Sequence, residues 1–430
     1  MNIQALRGTV DVLPKETVRW HDIERKSRTL FSVFGYQEIR TPIIEEAALF
    51  MRAVGETTDI VQKEMYVFTD KGNRQICLRP EGTAGIVRAY LERGLGHSEG
   101  LVRLFYMGPM FRSERPQEGR RRQFHQIGAE AIGSASPWVE VELLQLLDQL
   151  LREFGVKDCQ LEVNNLGCLN DRTKLTQSLQ RELTPLRQKF CEDCQIRFGR
   201  NIFRILDCKK PSCQELVKEK VRDLVQEQIC PSCQDHFKKV LEGLEEIGIA
   251  YRMTPYLVRG LDYYSGTVFE LTSVQLGAQG TLAAGGRYDH LVEELGGHET
   301  PAIGWALGME RLLMILDKGV SDEQNYESTP EVFIVIPNES LRLEGFKLLS
   351  RLRQTRIPTL MDLEEKSLKG QLRMANKKGV PYVLLLGDEE WRREEIVLKD
   401  MRKGVQELIP KQKVIEIINS KIHEADTLLR

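Results

Sequence analysis

Between Leu104 and Gly133 the chain reads LFYMGPMFRSERPQEGRRRQFHQIGAEAIG, and no other stretch restricts the fold as strongly. An apolar run ends in Phe111-Arg112-Ser113-Glu114, a polar loop follows, and the chain returns through Gln123-Phe124-His125-Gln126-Ile127-Gly128-Ala129-Glu130. Two extended runs joined in this way form a hairpin, so part of this chain must be a sheet with antiparallel neighbours. Arg112 through Arg122 holds five arginines against two glutamates, in a chain of 430 residues with 61 basic and 63 acidic side chains and a formal charge of -2. Near-neutrality excludes a protein that coats nucleic acid uniformly, while the local excess marks a face for a polyanion. Alternation on the return strand puts Phe124, Gln126 and Glu130 on one face. There Phe124 suits stacking on a base, and Arg112 suits the fork-like grip of a phosphate. The plain alternative is a solvated loop; placement on a hairpin and the polar alternation weigh against it.

A second polar stretch, RGLDYYSGTVFE from Arg259 to Glu270, precedes the glycine-rich AAGGRYD, Ala283 to Asp289. Read as a strand, it sends Arg259, Leu261 and Tyr263 to one side and Asp262 and Tyr264 to the other. Its mouth is too polar for a core strand and suits a polar ligand, the alternative being an edge strand with half-buried tyrosines. Earlier, Arg79-Pro80-Glu81-Gly82-Thr83 joins a hairpin to a helix. Free N–H groups at that helix start suit an anionic or zwitterionic ligand and Glu81 suits an ammonium group; alternatively Thr83 is an N-cap and Glu81 a solvated carboxylate. Asp11 and Pro14 are placed to open a helix from about Lys15 to Phe34, stopped by Gly35. YQEIRTPIIEE reads as an edge strand around Pro42, a candidate subunit interface or else a plain surface strand. Leucines between Val141 and Phe154 recur at helical spacing and read as core packing.

FRSER followed by RRRQFHQIGAE resembles motif 2 of the class II aminoacyl-tRNA synthetases, and GWALGMERL, Gly304 to Leu312, resembles their motif 3. RGLDYYSG and AAGGRYD narrow the resemblance to the histidyl-tRNA synthetase family, and it runs essentially the whole length from RGTVDVLP onward. The resemblance implies an α+β fold: an antiparallel-sheet catalytic domain over 1–325 with a helical, cysteine-rich insertion at about 170–248, then a C-terminal α/β anticodon-binding-type domain over 331–430. It also implies the substrates L-histidine, ATP with Mg²⁺, and tRNA(His), with a homodimer as the assembly. Histidine binding then falls to Glu81, Gly82, Thr83, Arg112, Gln126, Glu130, Arg259, Tyr263 and Tyr264, with Glu130 and Tyr264 addressing the imidazole. ATP binding falls to Arg112, Glu114, Phe124 and Arg311, and catalysis to Arg112 and Arg259 on the α-phosphate. No role is implied for Asp262. In the family an insertion at this place contacts the acceptor arm of tRNA.

Nine cysteines, six of them between Cys191 and Cys233, fit reduced thiols or a metal site better than a secreted disulfide framework. Cys191-x-x-Cys194 and Cys230-x-x-Cys233 have zinc-site spacing and would clamp a small domain with little apolar core; free thiols are the competing reading. With no apolar leader and no run long enough to span a bilayer, a cytoplasmic protein without membrane contact is expected. After residue 330, strands alternate with helices in the manner of a small mixed-sheet α/β domain. The rival function is a non-catalytic, histidine-sensing regulatory subunit of ATP phosphoribosyltransferase. Its typical lack of a C-terminal domain and eroded ATP motifs contrast with this chain.

Overall fold

The computed structural model describes residues 3–97, 100–208, 210–221, 224–319 and 330–428. The chain divides into two compact units, Met1–Asn325 and Tyr326–Arg430.

The arginine-rich hairpin forms two ten-residue strands, Val102–Phe111 and Gln123–Ile132, paired antiparallel from Val102 opposite Ile132 to Phe111 opposite Gln123. They belong to an eight-stranded sheet in the order Gln37–Glu38, Val102–Phe111, Gln123–Ile132, Ala302–Gly308, Thr281–Arg287, Ser265–Ser273, Cys159–Asn165, Tyr251–Met253. The six inner strands are antiparallel throughout; the two outermost pairings are parallel. Register then decides which side chains face which way. Phe105, Ala129, Trp305, Gly285 and Phe269 lie in one cross-strand row, and the next row holds Leu104, Glu130, Gly304, Gly286 and Val268. Apolar members of the first row pack beneath the helices Pro14–Val33, Pro137–Glu153 and Pro231–Glu246. Phe31 stacks on Phe105 at 4.2 Å, and Trp305 Nε1 donates to Leu143 O at 3.1 Å. The second row faces away from these helices, toward the cleft described below. Each of the three helices starts on proline, whose missing N–H would have had no helical partner there. At the first of them Glu16, not Asp11, accepts the Leu13 N–H.

One arginine of the AAGGRYD stretch is structural. Arg287 Nη1 donates to Glu140 Oε1 at 2.9 Å and Nη2 to Ser134 O at 2.8 Å, tying its strand to the helix Pro137–Glu153. Both side chains are almost wholly buried, and the nearby Glu140 and Asp289 carboxylates outweigh the cost of burial and raise the arginine's pKa. Glu140→Ala leaves the buried Arg287 with Asp289 as its remaining carboxylate but its Nη1 unmatched, so it is expected to destabilise the fold by about 1–3 kcal/mol, read as a shifted urea midpoint.

Two sequence expectations change. RGLDYY is not a strand: regular pairing begins at Ser265, and the preceding residues bend and turn. The reason is the adjacent tyrosines, which are both buried with rings 4.6 Å apart, whereas an extended backbone would send them to opposite faces. Pro42 does not sit inside one edge strand either. It falls between Gln37–Glu38 of the large sheet and Ile44–Glu46, which joins Gln75–Leu78 and Tyr66–Thr69 in a separate three-stranded sheet.

From Leu169 to Glu246 the described chain forms helices and no strand. Leu175, Leu179, Phe190, Ile205, Val217 and Val221 are buried there, so this segment has more apolar core than its charged composition led us to expect. The second unit is a five-stranded sheet in the order Thr359–Met361, Val332–Val335, Tyr382–Leu385, Glu395–Asp400, Val405–Pro410, parallel among the first three and antiparallel thereafter. Its buried Gln371 is satisfied at both ends, accepting from Ile336 N and donating to Ile336 O and Lys366 O, each at 2.8 Å. Among the described residues no helix is long and apolar enough to cross a membrane.

Candidate active site

A cleft of about 1010 Å³ opens on the sheet face turned away from the three helices. Glu81, Thr83, Arg112, Glu114, Phe124, Gln126, Arg259, Tyr263, Tyr264 and Arg311 all line it, drawn from five separated segments of the chain. Gly82 and Glu130 are buried beside it and do not form its wall.

One end of the cleft is a pocket of carboxylates and phenols. Glu130 is fully buried; Thr83 Oγ1 donates to its Oε1 at 2.7 Å and Tyr288 OH to its Oε2 at 2.6 Å. Gly304 lies directly opposite in the sheet, where a methyl group would overlap this carboxylate. Burial pushes the Glu130 pKa up to about 8, against the lowering effect of the two hydroxyl donors, with Glu81 adding repulsion. Glu81 is also raised by burial. Its Oε2 accepts the Thr83 N–H at 2.7 Å and its Oε1 the Ala84 N–H at 2.9 Å. The helix start is therefore already occupied by the chain's own carboxylate, which removes the expected free N–H groups. Gly82 gives the Tyr106 ring room that a side chain would fill. Burial holds the phenols of Tyr106, Tyr263, Tyr264 and Tyr288 protonated; Tyr288 spends its proton on Glu130, and the other three keep theirs. Tyr106 OH and Gln126 Oε1 are buried without a partner, an arrangement that suits a ligand with its own donors and acceptors. Tyr288 and Tyr106 escaped the sequence reading. Tyr288 stands inside the quoted AAGGRYD, but nothing in its spacing ties it to Glu130.

The other end is cationic. Arg112 Nε donates to Pro80 O at 2.9 Å, and its guanidinium lies 5.2 Å from the Phe124 ring centre. Arg311, at the head of the helix Met309–Gly319, donates from Nε to Gly119 O at 3.0 Å and from Nη1 to Thr281 O. Its pKa is lowered by burial first and then by repulsion from Arg120 and Arg112, while Glu114 acts the other way. Glu114 pairs with Arg120 at 3.2 Å. Glu310 also lines the cleft, and both its oxygens accept the His125 N–H at 2.9–3.0 Å. Between the two ends stands Arg259, with Nη1 donating to Glu270 Oε2 at 2.9 Å and Nε buried without a partner. Arginines crowded with too few carboxylates make a site shaped for a phosphate chain.

The loop carrying Arg259, Tyr263 and Tyr264 is held from behind by the helical segment. Asp262 Oδ1 accepts from Asn201 Nδ2 at 2.9 Å, and Arg204 donates to Gly260 O. Arg172 Nη1 donates to Tyr264 O at 2.8 Å. Asp262, with no implied role in the sequence, therefore anchors its loop and is not among the residues lining the cleft.

The expected zinc set of Cys191, Cys194, Cys230 and Cys233 is not assembled. Cys191 and Cys194 converge with Cys208 and Cys213, while Cys230 and Cys233 converge with Cys168 and Asp171. The two C-x-x-C pairs begin different helices, Glu192–Arg197 and Pro231–Glu246, with the helix Pro211–Val221 between them in the chain.

An antiparallel sheet that presents one arginine from a long hairpin and another from a helix after a glycine-rich strand, together at one end of a cleft whose other end is a carboxylate-and-phenol pocket, is a class II aminoacyl-tRNA synthetase catalytic domain. The sequence model of "Histidyl-tRNA synthetase" matches residues 8–312, and that of "Anticodon binding domain" matches 331–421. The chain belongs to the histidyl-tRNA synthetase family. It is 45% identical over 424 residues to a histidine–tRNA ligase of Desulfitobacterium hafniense, covering 99% of both chains. With the corresponding ligase of Thermodesulfovibrio yellowstonii it shares 42% over 421 residues, 98% of this chain and 99% of that one. The apo histidyl-tRNA synthetase structure from S. aureus superposes with a TM-score of 0.81 at 34% identity, covering 97% of this chain and all of that one.

Proposed function

We infer that this chain is a histidine–tRNA ligase: it joins L-histidine to ATP as histidyl-adenylate, releases pyrophosphate, and passes the histidyl group to the terminal ribose of tRNA(His). The observation that carries this reading is the joining, in one cleft, of a carboxylate-and-phenol pocket to an arginine-lined channel, with Arg259 between them. The histidine carboxylate is already ionised at neutral pH, so its attack on the α-phosphorus needs no general base; positioning and charge stabilisation do the work. ATP enters as its Mg²⁺ complex. Arg112 and Arg259 grip the α-phosphate from two sides, Phe124 stacks on the adenine beside Glu114, and Arg311 meets the outer phosphates.

The α-amino group lies against Glu81 and Thr83, with Gly82 fixing the turn between them. The imidazole points to the pocket floor, toward Glu130 and Tyr264, with Gln126 and Tyr263 along its sides. Thr83 turns its hydroxyl away from Glu130 as the ring N–H arrives, and Tyr288 keeps the second carboxylate oxygen occupied. In the empty pocket Glu130 holds a proton below about pH 8. Free imidazole takes one up only below about pH 6.5. The bound pair shares a single proton. Histidine affinity is thus expected to be flat between these values, to fall above pH 8 as that proton is lost, and to fall below pH 6.5 as binding must release one. Calorimetry across pH checks this, and Glu130→Gln should remove the part of the alkaline limb due to Glu130, leaving only the fall set by deprotonation of the α-ammonium group.

Histidine-dependent ATP–pyrophosphate exchange, followed by charging of tRNA(His), tests the assignment; absence of both in folded protein would favour the histidine-sensing regulatory reading instead. The anticodon-binding match over 331–421 and the full arginine set support the ligase. We assign the C-terminal unit to the anticodon and the helical insertion to the acceptor arm. The working enzyme is a cytoplasmic homodimer, a reading supported by Ile43, Ile44, Val67 and Phe68, exposed on and beside the three-stranded sheet. Light scattering of the purified protein checks its mass.

A further inference from the structure

We propose that the helical insertion carries two separate zinc sites, one of four cysteines and one of three cysteines and an aspartate. The first gathers Cys191, Cys194, Cys208 and Cys213, and the second Cys168, Asp171, Cys230 and Cys233; within each group every ligand atom lies within 4.8 Å of the others. Four sulfurs at the usual zinc–sulfur distance sit about 3.8 Å apart at the corners of a tetrahedron, so small adjustments close each set on an ion. The nine cysteines are all free, and Cys191 Sγ stands 3.9 Å from Cys208 Sγ, twice the length of a disulfide and close to the tetrahedral edge.

A cluster of buried thiols can also be plain core packing. Two features argue otherwise. In the first site the Cys191 N–H points at Cys213 Sγ at 3.3 Å, a contact that favours a charged thiolate. In the second, a carboxylate has been placed among the thiols. Asp171 Oδ2 accepts the backbone N–H groups of Cys168 at 3.3 Å and Cys230 at 3.1 Å, while its Oδ1 is buried with no partner. A buried carboxylate grouped with three sulfurs and keeping one oxygen unmatched is costly without a cation and ordinary with one.

The two sites differ in what they fasten. Cys168 opens the helix Leu169–Leu183, where the chain leaves the sheet, and Cys230 opens Pro231–Glu246, which leads back to it. Asn165, the last residue of its strand, donates from Nδ2 to Cys233 O at 2.9 Å and so fixes this junction to the sheet. The four-cysteine site lies within the outer helices, the same part that supplies Asn201 and Arg204 to the histidine loop. Zinc here is structural and takes no part in the reaction.

Metal analysis of the full-length protein, purified reducing and without chelator, should find about two equivalents of zinc per chain, and zinc absorption spectroscopy a first shell dominated by sulfur with a minor oxygen component. Paired Cys208→Ser and Cys213→Ser should leave one equivalent, as should paired Cys230→Ser and Cys233→Ser; paired Cys77→Ser and Cys159→Ser should leave both. Less than roughly half an equivalent in the unmutated protein overturns the proposal. So does a total of one, whichever variant loses it, since that would mean a single site. Both readings come from unmutated protein and do not depend on any variant folding.

Discussion

Replacing Arg259 with alanine is expected to slow histidine-dependent ATP–pyrophosphate exchange by about 10²–10³-fold while histidine KM changes only a few-fold. Arg259 holds Glu270 through Nη1 and keeps Nε buried and unpartnered at the junction of the two halves of the cleft. A guanidinium in that place gains most when negative charge spreads over the pentavalent phosphorus, so its loss appears in the rate. Part of any effect could come from releasing Glu270, so Glu270→Gln is the companion variant: it keeps the arginine and should lose far less. Unchanged exchange in Arg259→Ala would remove the catalytic role proposed for it.

Replacing Glu130 should act on the other kinetic constant. Glu130→Ala is expected to raise histidine KM by about 10²-fold, with a smaller effect on kcat, because it removes the carboxyl group that shares a proton with the imidazole and leaves the Thr83 and Tyr288 hydroxyls without their acceptor. Tyr288→Phe separates the two causes: it removes one donor, keeps the carboxylate, and should have an intermediate effect. A histidine KM unaltered by Glu130→Ala would mean that this buried acid only holds the sheet together.

The hairpin and its arginines were legible in the sequence because alternation and charge are local properties, and the fold keeps Phe124 and Gln126 on the cleft wall as their spacing indicates. Partnerships across the chain were not. Tyr288 lies 158 residues from Glu130, and no period in the sequence joins a tyrosine near a glycine pair to a glutamate in another strand. The cysteines make the same point. C-x-x-C spacing says which two thiols share a helix start, but which pairs then meet depends on helix packing, and a carboxylate three residues after Cys168 carries no cysteine signature at all. RGLDYY misled for a related reason: alternation assumes an extended backbone, and burying two neighbouring tyrosines together requires a turn.

The hold that Asn201, Arg204 and Arg172 keep on the Gly260–Tyr264 loop bears on how this enzyme could be trimmed. An insertion between two sheet strands looks like a detachable accessory, and excising it should leave a smaller enzyme with an intact active centre. Here excision would take away two side chains that hold the backbone of that loop, Arg172 and Arg204, and leave the Asp262 carboxylate without its amide partner Asn201. The insertion is a buttress of the loop that carries Arg259, Tyr263 and Tyr264, and any shortened version of this enzyme must carry a replacement for it.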